Sequence, residues 1–136
     1  MDFLKSMGIA ASGLRAQAGR MRVLSENIAN ADSTVSTAGG DPYRRKIPTF
    51  SSEIDRALDA RIMKMGKIGL DQSNFRSKYD PSHPAADANG NVKFPNVNSL
   101  VEMSDLKEAQ RSYEANLNIV SATRRMIQRT LDILRA

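Results

Sequence analysis

The sequence has 136 residues, a formal net charge of +5 at pH 7, and neither cysteine nor tryptophan. This length suits one domain with a small second one, and the missing cysteine excludes disulfides and thiolate-bound metals. The sequence contains no run of about eighteen apolar residues that could span a membrane. Polar residues interrupt the apolar residues near the start, so we do not expect a cleaved secretory signal.

A long helix is predicted for the first segment of the chain. Asp2 is a suitable N-cap, and the helix is expected to run to about Ala31, where Asn30, Asp32 and Ser33 compete for backbone hydrogen bonds. Apolar residues recur there at alternating steps of three and four, which places them on one side of a helix. They are Leu4, Met7, Ala11, Leu14, Ala18, Met21 and Ile28.

Turns and short strands are predicted for the middle of the chain. Residues 35–42 have the composition of a linker, and residues 43–50 suggest an edge strand because Pro48 cannot donate a backbone hydrogen bond. Residues 51–61 fit a short helix or a strand. Residues 62–70 alternate in part like a strand, and we expect residues 75–79 to pair with them. A further short strand is predicted at residues 92–94, giving a head of two or three strands.

A second long helix is predicted from Ser99 to the end of the sequence. Ser99 followed by Glu102 has the spacing of a capping box. The second series of spaced residues comprises Met103, Leu106, Tyr113, Leu117, Val120, Ile127, Leu131 and Leu134. We interpret the two series as an intrachain seam between antiparallel helices.

The predicted fold is therefore mainly α with a small β part. An antiparallel pair of long terminal helices forms a coiled-coil-like stem, and a small β-rich head lies between them in sequence. The stem is assigned to residues 1–34 and 98–136, and the loop and head to residues 35–97.

The terminal helices carry more apolar residues than one seam can cover. A second set, lying on other faces of the helices, comprises Ile9, Ala16, Val23, Ala115, Ile119, Ala122, Met126 and Ile133. Exposed apolar faces of this kind usually mark interaction sites, so we predict that this set contacts other subunits. The alternative is a small helical bundle in which the middle segment covers the second set.

Catalytic, cofactor-binding and metal-binding patterns are not recognised in the sequence, so we do not expect an enzyme. His83 lies in a turn-rich segment without a ligand pattern, and the glycine pairs lack the lysine of a phosphate loop. The last helix has acidic residues in its first half and arginines in its second, which matches the helix dipole better than a nucleic-acid site. A small helical regulator that binds DNA or an anionic surface is the alternative function.

Several segments resemble bacterial flagellar rod, hook and hook-associated proteins. Residues 25–34 (SENIANADST) are similar to the motif that closes the first helix of those proteins, and residues 42–46 (PYRRK) follow where their outer part begins. Residues 79–90 (YDPSHPAADANG), 94–98 (FPNVN) and 111–117 (RSYEANL) resemble the proximal rod family, FlgC.

The resemblance implies a structural subunit of the flagellar basal-body proximal rod, a torque-transmitting drive shaft that crosses the periplasm and encloses the export channel. Its implied partners are other rod proteins, the basal-body adapter protein, copies of itself and the flagellar export apparatus. Neither nucleic acid nor direct membrane insertion is implied, and export is expected to proceed without a cleaved signal peptide.

Overall fold

The computed structural model describes residues 2–135 and confirms the predicted fold class. Two long helices, α1 (Phe3–Ala29) and α2 (Ser99–Arg135), lie at either end of the described chain. Six short strands lie between them in sequence. They are β1 (Lys46–Ile47), β2 (Phe50–Asp55), β3 (Ala60–Met65), β4 (Gly69–Leu70), β5 (Arg76–Tyr79) and β6 (Asn91–Phe94).

The start and end of α1 agree with the sequence prediction. Asp2 Oδ1 accepts hydrogen bonds from the backbone N–H groups of Leu4 and Lys5, at 3.1 and 3.2 Å. This is the N-cap geometry that satisfies the free donors of a first helical turn. At the other end, the Asn30 side chain donates to the Glu26 carbonyl at 2.8 Å. The helix stops there because side chains take over its last backbone groups.

The start of α2 differs from the predicted capping box. Asn98, not Ser99, is the N-cap, since its Oδ1 accepts from the N–H groups of Leu100 and Val101 at 3.1 and 3.4 Å. Glu102 does not reach back to cap the helix. Its carboxylate is instead fully buried among polar side chains.

The strands form three antiparallel pairs. β1 pairs with β4, β2 with β3 and β5 with β6. Residues 51–61, left open between helix and strand, contribute to β2 and to the start of β3. β6 confirms the strand predicted at residues 92–94.

The predicted pairing of residues 75–79 with residues 62–70 was wrong, since β5 pairs with β6. The loop between these two strands explains the choice. Gly90 has a φ of +79°, and its carbonyl accepts from the Asp80 N–H at 2.9 Å. A Cβ on Gly90 would lie 2.9 Å from the Tyr79 ring, so this close turn requires glycine.

The chain divides into two compact units. Unit 1 consists of the described residues of Met1–Met21, Thr49–Lys67 and Lys107–Ala136, and unit 2 of Arg22–Pro48 and Ile68–Leu106. Each unit therefore combines part of both helices with part of the middle segment, a division that differs from the predicted stem and head.

The buried residues of unit 1 are small, apart from Ile62. They are Ala10, Ser12, Ala16, Ile62, Ala109 and Thr123. Unit 2 buries larger apolar side chains, among them Leu24, Val92 and Val97, together with the polar Asn27 and Glu102. Neither helix in the described part of the chain combines the length and hydropathy needed to cross a membrane.

Candidate assembly surfaces and a buried polar cluster

In unit 1, α1 and α2 run antiparallel in a defined register. Gly13 lies against Asn116, because a Cβ built on the glycine would be 2.8 Å from Asn116 Nδ2. About two turns further along α1, Arg20 forms an ion pair with Glu108 of α2 at 3.7 Å. Positions nearer the C-terminal end of α1 thus lie beside positions nearer the N-terminal end of α2, so the two helices pair in antiparallel orientation.

The register leaves the last part of α2 without a helical partner in unit 1. Phe3 and Leu4, at the start of α1, line the same surface depression as Ile127. Every residue from 128 to 135 is exposed. We call residues 128–135 the overhang. It includes Leu131, Ile133 and Leu134, which are 49%, 76% and 77% exposed.

None of the predicted seam residues, all within the described part of the chain, is fully buried. Leu4, Ala18, Met103, Leu117, Leu131 and Leu134 are exposed, whereas Met7, Ala11, Leu14, Met21, Ile28, Leu106, Tyr113, Val120 and Ile127 are half-buried. The seam was wrong for Leu131 and Leu134 because they belong to the overhang. For the half-buried residues the intrachain pairing stays a prediction. The buried face is rotated toward small residues such as Ala109 and Thr123.

The predicted subunit contacts divide into two groups. Ala16 and Val23 are buried within the chain, each 2% exposed, so their assignment to an outward face was wrong. They fall on the line of small and apolar residues that faces the interior of their own units. Ile9, Ala115, Ile119, Met126 and Ile133 are exposed, and Ala122 is half-buried. We call Ala115, Ile119, Ala122, Met126 and Ile133 the α2 stripe.

A cleft of roughly 440 Å³ opens in unit 1 between α1, the β2–β3 hairpin and α2. Ile9, Phe50 and Met63 line it, and each of these apolar side chains is partly exposed. Gln17 lines it as well, and its Oε1 atom is buried without a hydrogen-bond partner among the described residues. The cleft therefore combines apolar surface with one unused acceptor.

Unit 2 contains a buried polar cluster that joins three segments. Glu102 of α2 accepts hydrogen bonds from Asn27 of α1 at 3.0 Å and from Arg45, before β1, at 2.5 Å. Asn27 Oδ1 also accepts from the Tyr43 hydroxyl at 2.8 Å and from the Lys46 backbone N–H at 2.9 Å. Since Asn27 and Glu102 are fully buried, each of these bonds replaces lost solvation.

The charges around this cluster shift several pKa values. The hydrogen bond from Lys46, at 2.8 Å, lowers the pKa of Glu26, and Glu26 in turn raises the pKa of Lys46. Burial disfavours the charge on Arg45, but the hydrogen bond and charge of Glu102 outweigh it and raise its pKa. Burial raises the pKa of Tyr43. These groups therefore keep their ordinary charge states at neutral pH.

Sequence reasoning missed this cluster. In the sequence, Asn27 is recognised only as part of the motif at residues 25–34, Glu102 is assigned to a capping box, and Arg45 lies in the predicted edge strand of residues 43–50. One available signal was a polar residue on a helix face that is otherwise apolar, since such a residue needs a partner when buried. Its partners could not be named, because Asn27 and Glu102 are 75 positions apart.

Comparisons with known proteins match the sequence of this chain to one family. A family described as flagella basal body rod protein matches residues 7–35, and one described as flagellar basal body rod FlgEFG protein C-terminal matches residues 88–133. The flagellar basal-body rod protein FlgC of Agrobacterium fabrum is 53% identical over 128 residues, covering 94% of this chain and 92% of its own length. The chain belongs to the FlgC family.

More distant FlgC relatives cover the chain equally well. The FlgC protein of Bacillus subtilis is 38% identical over 148 residues, covering 98% of this chain and 99% of the relative. That of Salmonella typhimurium is 37% identical over 133 residues, with 98% of both chains covered. The chain is thus a structural subunit of the flagellar basal-body rod, not an enzyme, and its partners are other rod components.

Proposed function

We propose that the exposed α2 stripe and Ile9 form contacts between this subunit and its neighbours in the rod, including further copies of the same chain. The observation that carries this proposal is the exposure of Ile119 and Met126, 48% and 51%, on a helix whose buried face is occupied by small residues. Apolar surface left in water favours association, and family membership supplies the neighbours.

Such contacts suit a shaft that transmits torque. A subunit that slips against its neighbours re-exposes apolar surface, at about 25 cal/mol per Å². Contacts through the α2 stripe therefore resist sliding in proportion to the apolar area that they bury. The predicted stem, residues 1–34 and 98–136, would form the inner core around the export channel in this arrangement, with residues 35–97 further out.

Two finer assignments are proposed chiefly on the resemblance. One is contact with the basal-body adapter protein, and the other is passage through the flagellar export apparatus without a cleaved signal peptide. The small core of unit 1 supports the second, because a segment that buries little apolar area unfolds at low cost. The relatives named above are rod proteins, and none of them is named as a DNA- or surface-binding regulator.

The test uses Ile119→Asp and Met126→Asp in a strain that lacks the native subunit. Asn118→Asp is the matched control, because it adds the same charge to an exposed neighbouring position outside the α2 stripe. We expect both stripe variants to be exported at the normal level and to block motility, while the control variant swims normally. Normal swimming by the stripe variants would overturn the assignment of the stripe to subunit contacts.

A further inference from the structure

The overhang and the cleft are two unpartnered features of one compact unit. The overhang presents apolar side chains without another helix from the described part of unit 1 beside it, and the cleft presents apolar walls around an acceptor that has no partner among the described residues. A protruding helix face and an apolar recess are the two halves of a helix-in-groove contact.

The spacing of the overhang defines the face that would enter the cleft. Leu131 follows Gln128 by three residues, and Leu134 and Arg135 follow Leu131 by three and four, so these four residues share one side of α2. Along the helix, the two leucines of this face lie between Gln128 and Arg135, whose side chains carry N–H donors. The cleft requires the same combination, since Ile9, Phe50 and Met63 need apolar cover and Gln17 Oε1 needs a donor. Ile133 lies on another side of the same helix.

The overhang of a subunit cannot reach the cleft of the same subunit. Asn116 of α2 lines the cleft, and Leu131 follows it fifteen residues later in the same unbroken helix. At about 1.5 Å per residue these positions are ~22 Å apart along the axis. The occupant must therefore come from another molecule, and a second copy of this chain carries the matching face.

We propose that the Leu131 and Leu134 face of one copy docks in the cleft of a second copy, with a side-chain N–H of that face donating to Gln17 Oε1. The contact is heterologous, because one copy supplies the overhang and the other supplies the cleft. It rests on the proposed self-association of the subunit in the rod, and it adds which surfaces meet.

The absence of cysteine allows a direct test with the full-length protein. Met63→Cys and Leu131→Cys variants are purified separately, mixed at high concentration and oxidised mildly. A disulfide requires Cα atoms about 4.4–6.8 Å apart, so it reports a close approach of positions 63 and 131. The matched control replaces Leu131→Cys by Ile133→Cys, an exposed position on the same overhang but another side of the helix.

We expect the 63–131 pair to give a covalent heterodimer at several times the yield of the 63–133 pair and of either variant alone. Adding Gln17→Leu to the Met63→Cys chain should lower that yield, whereas adding Gln110→Leu should not. Equal yields from the 131 and 133 positions, or no heterodimer, would overturn the proposal. Loss of motility in Ile119→Asp with no 63–131 crosslink would refute this contact while leaving the α2 stripe proposal intact.

Discussion

Asn27 and Glu102 lie 75 positions apart in sequence, yet the Asn27 side chain donates a 3.0 Å hydrogen bond to the Glu102 carboxylate. Both residues are fully buried in unit 2, and Arg45 supplies the charge that balances Glu102. The end of α1 and the start of α2 are therefore joined by a charged, directional contact, which tolerates sliding less well than apolar packing does.

Replacing Glu102→Leu should destabilise unit 2 strongly. The change leaves Arg45, whose side chain is 22% exposed, without its nearest counter-charge. It also removes one of the two acceptors of the Asn27 amide, which keeps only its bond to the Lys46 carbonyl. Breaking a buried pair in this way costs about 3 kcal/mol. The check is the free energy of unfolding from urea denaturation followed by circular dichroism. Glu108→Leu removes a carboxylate that is 68% exposed in its pair with Arg20, so it should cost less than about 1 kcal/mol; equal losses would contradict the role of carboxylate burial.

Unit 2 should lose stability in acid through Glu26. Its pKa in the folded protein is lowered from the ordinary 4.5, chiefly by the Lys46 hydrogen bond. The folded state therefore holds its proton less tightly than the unfolded state, so the stabilisation is complete above pH 4.5 and is lost as pH falls through the lowered pKa. Unfolding free energies measured between pH 3 and 6 should fall with acid. They should fall less steeply in Lys46→Met, and an unchanged slope would disprove the linkage.

Asn98→Ala should weaken the start of α2 by about 1 kcal/mol, because Asn98 accepts from the first N–H groups of the helix. Ser99→Ala is the discriminating control. If the capping box at Ser99 and Glu102 operated, Ser99→Ala would be the variant that loses stability. We expect Ser99→Ala to stay within about 0.5 kcal/mol of the parent chain in urea denaturation.

Gly13→Ala should destabilise unit 1, although alanine is the better helix former by about 1 kcal/mol. The new methyl group would lie 2.8 to 3.2 Å from three side-chain atoms of Asn116, so the Asn116 side chain must leave the position that it holds. Overpacking of this kind costs about 1–3 kcal/mol. The double variant Gly13→Ala with Asn116→Ala should recover that loss. A double variant as unstable as the single one would show that Asn116 is not the obstacle.

Gln17→Leu should stabilise the isolated subunit by about 1 kcal/mol, because it removes a buried acceptor that has no partner among the described residues. Thermal denaturation of the monomer measures this effect. The exposed Gln110→Leu should change stability by less than about 0.5 kcal/mol. A destabilised Gln17→Leu variant would mean that this side chain already has its hydrogen bonds in the free subunit.

The helices could be predicted from sequence because their signals are local. Asp2 and the polar residues after Ala29 act within one turn of the helix, and the apolar spacing extends over several turns. The first residue of α2 was also correct, but its cap was not. Asn98 and Ser99 are both good N-caps, and local sequence does not show that Glu102 is withdrawn from the cap into the buried cluster.

The faces of the helices could not be predicted from apolar spacing alone. The rule that large apolar residues face the partner helix selects Met103 and Leu117, whereas the structure buries Ala109 and Thr123. Close helix packing favours small side chains, and the large ones are left outside. The strand pairing failed for a related reason: short strands carry little periodicity, and the turn at Gly90 decides which strands meet.

The geometry of α2 also bears on how a row of copies would end. A contact between an overhang and a cleft is used once by each molecule in each direction, so any row retains one empty cleft at one extremity and one bare helix tip at the other. The row then has a direction, and each of its two ends binds a different surface of the next subunit. A different protein with a similar helix tip but without a matching cleft would end the row. A row of identical subunits therefore has two chemically distinct ends.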